Sequence, residues 1–146
     1  MEGYGFSTDV AVRFAETDAQ GVVHHAAYLV WFEVARVEYL GRFDGGYPGF
    51  QREGYEALTI DAHVRYLRAA RFGETVRIHT RCVGVGPARF RFEYAVERDG
   101  ELVADGSTVH ACVDAATMRP TRLPSWLTEA IARTEGGPGP EGSAAA

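Results

Sequence analysis

Residues 16–40 read ETDAQGVVHHAAYLVWFEVARVEYL. Asp18 and Gly21 stand in a turn-like stretch, two histidines follow, and then comes a long apolar segment with helical spacing. Tyr28, Trp31, Phe32, Ala35, Tyr39 and Leu40 recur three and four residues apart, which places them on one helix face. Val30, Val34, Val37 and Gly41 make up the other. Within 28–41 only Glu33, Arg36 and Glu38 are charged. The spacing predicts a helix from about His25 to Phe43 that is buried on most sides, because an apolar surface all round needs cover. Glu33 and Arg36 stand three apart and can pair.

Outward from this helix the signals are mainly β. FSTDVAVRF (6–14) precedes it and alternates like a strand. DGGYPG (44–49) is expected to break it with glycines and a proline. ALTIDAHVRYL (57–67) and ETVRIHTRCV (74–83) also alternate. In ARFRFEYAVER (88–98), Phe90, Phe92, Tyr94 and Val96 share one face, with Arg89, Arg91, Glu93 and Glu97 on the other. Asp99-Gly100 is the strongest hairpin turn in the chain. A return strand spans 101–118, with Gly106 as an expected bulge. A short terminal helix (123–134) follows, and the Gly- and Pro-rich residues 135–146 are expected to be a disordered tail. The order is a strand, a buried helix and a four-strand antiparallel meander, which suggests a sheet wrapped round the helix. One domain, 1–134, accounts for it.

At 146 residues the chain is long enough for a hydrophobic core, and an apolar share of 46% fits a globular protein. The net charge of −5 argues against nucleic acid as partner. All fifteen basic residues are arginines. Lysine chemistry is excluded, while bidentate anion contacts remain open. No run reaches the roughly 18 apolar residues of a membrane span, and no signal peptide is visible. A cytoplasmic protein with Cys82 and Cys112 reduced is expected.

Taken alone, Thr-Asp followed by Gly is good turn chemistry, and Asp18 can satisfy loop amides. Helix-start amides have no internal partner and carry partial positive charge, so a carbonyl oxygen gaining charge is stabilised there. Gly21 lets the loop turn sharply. Adjacent His24 and His25 point different ways and have no acidic or cysteine neighbours at ligand spacing, so no metal is expected. Gly84-Val85-Gly86 is a turn rather than a dinucleotide site, and there is no Gly-x-Ser-x-Gly element.

Thr17, Asp18, Gly21, Val22, Val23, His25, Tyr28, Phe32, Glu33, Ala35 and Arg36 together resemble the hotdog-fold acyl-CoA thioesterases of the 4-hydroxybenzoyl-CoA thioesterase type. YLRAARFGETVRI (66–78) and VDAATMRPTRLP (113–124) extend the likeness over about residues 6–133. The resemblance implies an α+β hotdog fold, with an antiparallel sheet of about five strands round a long central helix. It implies hydrolysis of an acyl-CoA to the free acid and CoA, with Asp18 as nucleophile or general base. The His25 backbone amide would polarise the carbonyl. Gly21, Val23, His24, Tyr28, Arg68 and Arg89 become candidate substrate-binding residues, with Arg89 preferred for the CoA phosphates. No cofactor is implied, and a homodimer or homotetramer is, with the acid of one chain facing pocket residues of another. Two rivals stand beside it: a hydratase or dehydratase using Asp18 with His25, and a non-catalytic acyl-CoA or acyl-carrier binding module.

Overall fold

The computed structural model describes residues 1–43 and 45–136. Five strands form one antiparallel sheet: β1 (Ser7–Ala11), β2 (Tyr55–Tyr66), β3 (Thr75–Val85), β4 (Arg89–Arg98) and β5 (Glu101–Asp114). Their spatial order is β1-β3-β4-β5-β2. The expected four-strand meander is therefore corrected. β3, β4 and β5 form a meander, but β2 crosses to the far edge and pairs with β5. The β4–β5 turn has Asp99 at φ 53° and Gly100 at φ 84°, the pair of positive angles that a tight hairpin requires.

The central helix α1 (Ala27–Gly41) buries Tyr28, Trp31, Phe32, Ala35, Tyr39 and Leu40, the face read from the sequence. Phe32 stacks on Tyr94 with ring centroids 4.1 Å apart, and Tyr39 meets Phe92 edge-on at 5.3 Å. The opposite face differs from expectation within one chain: Val30, Val34 and Val37 are exposed. Arg36 does not pair with Glu33 among the described residues; it donates to Tyr94 Oη at 3.2 Å instead.

Three further expectations change. Residues after α1 form a second helix, α2 (Gly46–Arg52), rather than a mere break. Pro48 lies in its first turn, where the missing N–H is no loss. Gly106 is not a bulge. The β2–β5 and β4–β5 register shifts fall at Thr59/Asp61 and Val96/Glu97. A Cβ on Gly106 would lie 2.2 Å from the His63 carbonyl oxygen and 2.7 Å from Phe32 Cε2, so the glycine lets α1 and β2 come close. The terminal helix α3 (Ser125–Glu135) runs past the expected domain edge, and the remaining tail positions, 137–146, lie outside the described residues. Glu135 holds α3 down by accepting bonds from Tyr39 Oη and the Cys82 amide.

Candidate active site

The loop ahead of α1 is pinned mainly by its own backbone. The Asp18 amide donates to the Val22 carbonyl at 2.8 Å, and the Gly21 amide donates to the Asp18 carbonyl at 3.0 Å. Gly21 sits at φ +81°, so the sharp turn expected there is present and is strained for any side chain. Val23 donates to the Ala70 carbonyl at 2.8 Å, and His24 donates to the Glu16 carbonyl at 2.7 Å. The first of these ties the loop to the β2–β3 connection, and the second ties it to the turn before it.

The two oxygens of the Asp18 carboxylate differ in their surroundings. Oδ1 accepts the Gln20 amide at 2.8 Å and the Val22 amide at 3.4 Å, which is the turn chemistry. Oδ2 has no hydrogen-bond partner among the described residues, and Asp18 is exposed and lines a cleft of about 370 Å³. Val22, Val23, His25, Tyr28, Tyr66, Leu67, Arg68 and Ala69 complete that lining. One oxygen is thus held by the loop while the other has no partner among the described residues, a suitable state for a base or nucleophile.

α1 opens on Ala26 without a side-chain cap. Among the described residues the His25 amide, one residue ahead of the N-cap Ala26, has no hydrogen-bond partner. Tyr66 fixes this corner: its hydroxyl donates to the His25 carbonyl at 2.7 Å. Tyr28 is 2% exposed and meets Tyr66 edge-on at 5.1 Å, so it serves core and cleft wall at once. Burial pushes its hydroxyl above the usual tyrosine range.

The other substrate-binding candidates divide by position. Val23 lines the cleft from the core. Arg68 also lines it, 57% exposed and only loosely paired with Glu101 at 3.8 Å. Gly21 and His24 shape the loop but do not line the cleft. His24 stacks on His25 at 4.3 Å, and its Nδ1 accepts the Ala26 amide. Arg89 stands on β4 opposite Ala111, while Tyr66 stands opposite Ala104. One chain therefore does not bring Arg89 to Asp18.

Two residues escaped the sequence reading. Tyr66 ends an alternating strand, and nothing local marks it as a support for the helix start. Glu16 is buried and accepts the Trp31 indole N–H at 2.9 Å, the Arg13 amide at 2.9 Å and the Arg13 guanidinium at 3.1 Å. Burial pushes its carboxyl up, but these three donors outweigh it and hold it below the usual value. Glu16 thereby ties the 3₁₀ turn at Phe14–Glu16 to α1 just ahead of Asp18.

Residues 12–131 match the family described as the thioesterase-like superfamily. The chain belongs to the thioesterase-like superfamily. An acyl-CoA thioesterase, YbgC, of Haemophilus influenzae is 33% identical over 128 residues, covering 87% of this chain and 94% of that protein. A solved thioesterase from Thermus thermophilus, complexed with coenzyme A and Zn, is 34% identical with a TM-score of 0.82, covering 94% of this chain and 99% of that one. A DHNA-CoA thioesterase structure from Staphylococcus aureus is 30% identical with a TM-score of 0.82, covering 89% and 90%. The five-stranded sheet with its central helix is thus the hotdog fold of this superfamily. Among the described residues, no cluster of three or more His, Cys, Asp or Glu is placed to hold a metal ion, and no helix is long and apolar enough to cross a membrane.

Proposed function

We propose that this member of the thioesterase-like superfamily hydrolyses acyl-CoA thioesters to the free acid and CoA. The carrying observation is that Asp18, with Oδ2 unbonded, and the unpartnered His25 amide belong to one cleft at the start of α1. The thioester oxygen takes the His25 amide, where the partial charge of the helix start stabilises the oxyanion. Either Asp18 attacks the carbonyl carbon, the CoA thiolate leaves and water then hydrolyses the acyl-aspartyl anhydride to the free acid, or Asp18 takes a proton from a water that attacks the carbonyl carbon, and CoA leaves as its thiol with that proton. Arg68 at the mouth of the cleft suits a phosphate.

An acid on the loop before the helix is the arrangement of the 4-hydroxybenzoyl-CoA thioesterase type, and it favours that branch of the superfamily. The hydratase reading gains nothing from the geometry: among the described residues no hydrogen bond joins the Asp18 and His25 side chains, and His25 stacks on His24. The relatives named as acyl-CoA thioesterases support an enzyme over a binding module. The test is release of free thiol from a panel of acyl-CoAs at steady state. Turnover is expected. Saturable binding without turnover would make the chain a binding module.

A further inference from the structure

A second cleft, of about 200 Å³, opens between the middle of α1 and the β2–β5 pair. It is lined by Glu33, Arg36, Val37, Leu40, Tyr47, Ala57, Thr59, Phe90 and His110. Polar side chains run under it as one chain of hydrogen bonds. Arg36 Nη1 donates to Tyr94 Oη at 3.2 Å, Tyr94 Oη lies 2.7 Å from Thr108 Oγ1, and Thr108 Oγ1 lies 2.8 Å from His110 Nε2. His110 Nδ1 then lies 3.2 Å from Thr59 Oγ1. The fully buried members of such a network must each be satisfied, and that sets its direction. Tyr94 Oη accepts from Arg36, so its own proton goes to Thr108. The Thr108 proton goes to His110 Nε2, which leaves His110 with its proton on Nδ1, directed at Thr59. Thr59 Oγ1 is an acceptor there, and its own proton is free.

Both ends of the chain therefore offer donors to the cleft: the remaining guanidinium N–H groups of Arg36 and the hydroxyl of Thr59. Tyr47 adds none, because its hydroxyl is held by Glu56. Glu33 is the one carboxylate of the lining, and it is exposed, where water screens it. Donors at both ends with a half-buried cation suit a group that only accepts, and a carboxylate is such a group.

Within one chain this cleft is far from Asp18. Thr59 and Tyr66 stand seven residues apart on β2, about 23 Å at strand rise. β2 is an edge strand with an unpaired outer side, and Leu58 and Ile60 on it are exposed, as are Val30, Val34 and Val37 of α1. Two copies paired antiparallel through the middle of β2 would set the Tyr66 end of one strand against the Tyr55–Ala57 end of the other. The Asp18 cleft of each copy then meets the Arg36–Thr59 cleft of its partner.

We propose that the Arg36–Thr59 cleft binds the free carboxylate at the far end of an acyl chain whose thioester sits in the Asp18 cleft of a second copy. The substrate class is then a CoA monothioester of a dicarboxylic acid. This rests on the acyl-CoA reading of the Asp18 cleft. The test uses CoA thioethers, which cannot be hydrolysed, in a graded series of chain lengths ending in methyl, hydroxyl or carboxylate. They are titrated calorimetrically into the full-length wild-type, Thr59→Val and Glu33→Gln proteins. At the best length the carboxylate compound should bind about tenfold or more tighter than the methyl one. Thr59→Val should lose most of that ratio, and Glu33→Gln should raise affinity for the carboxylate compound alone. Equal affinity for methyl and carboxylate ends, a hydroxyl end binding best, or an unchanged ratio in Thr59→Val would overturn the assignment. These outcomes do not depend on hydrolysis, which thiol release reports separately. To locate the two clefts, differently tagged Asp18→Asn and Thr59→Val chains are mixed and the hybrid is isolated. The hybrid should regain one high-affinity carboxylate site per pair with thioester turnover. A hybrid without such turnover would place both clefts' work in one chain and overturn the cross-copy arrangement.

Discussion

In the proposed mechanism, turn chemistry and reaction chemistry share one side chain, Asp18. Asn keeps an oxygen for the Gln20 and Val22 amides but is neither base nor nucleophile. Asp18→Asn should therefore keep the far-UV circular dichroism of the wild type and lower kcat by about 10²–10⁴-fold. A kcat within a few-fold of wild type would remove Asp18 from the mechanism. His110 supplies a different test. It is 1% exposed, and burial, with the nearby Arg36 charge, pushes its imidazole down to about 3 from the usual 6.5. Between those values the unfolded chain binds a proton that the folded chain does not. Stability contributed by neutral His110 is thus full above about pH 6.5 and falls as pH drops toward 3, by up to about 1.4 kcal/mol per pH unit. Urea melts from about pH 7 to 5 should show this loss in the wild type and a flatter profile in His110→Gln. Identical slopes would mean that His110 charges freely in the fold.

At the scale of elements, the close contact of α1 with β5 and β2 depends on one missing side chain. Gly106 is absent from the positive-φ glycines, so its role is space and not backbone freedom. Gly106→Ala must push Phe32 or the His63 backbone aside, and an overpacked core of this kind loses about 1–3 kcal/mol. A lower melting temperature with unchanged secondary structure is the expected result, and a melting temperature equal to wild type would show that α1 can shift without cost. The arginines separate in a similar way by position. Arg68 lines the Asp18 cleft, so Arg68→Ala should raise KM for a CoA thioester more than for the matching pantetheine thioester, because a phosphate contact is made equally before and during reaction. Equal changes on both substrates would place Arg68 away from the nucleotide. Arg89 can act at the cleft only from another copy, and its loss should follow the same pattern only in an assembled protein.

The whole molecule exposes an apolar stripe on α1 and both faces of much of an edge strand. A long edge with unpaired amides and carbonyls invites pairing, and a two-fold contact satisfies it. Ile60 lies near the middle of β2 and is 47% exposed. Ile60→Lys puts a charge where two β2 edges would meet, and light scattering should show a shift from an oligomer toward the monomer together with loss of thioester turnover. A wild-type protein that is monomeric and active at assay concentration would defeat the shared-site arrangement.

What the chain alone determined follows from local periodicity. The buried face of α1, the strand positions, the Asp99-Gly100 hairpin and the Asp18–Gly21 turn are each set by residues within a few positions of one another, so spacing and turn chemistry reveal them. The helix at Gly46–Arg52 escaped because its glycines and proline signal a break, while its actual stability comes from Phe50 packed in the core. Tertiary structure alone decided that β2 crosses to the far edge and that Gly106 is a contact rather than a bulge. It also joined Tyr66 to the His25 carbonyl and linked Arg36, Tyr94, Thr108, His110 and Thr59 into one network. The network residues come from one helix and three strands, and no pattern along a sequence carries a hydrogen bond between side chains brought together only by folding.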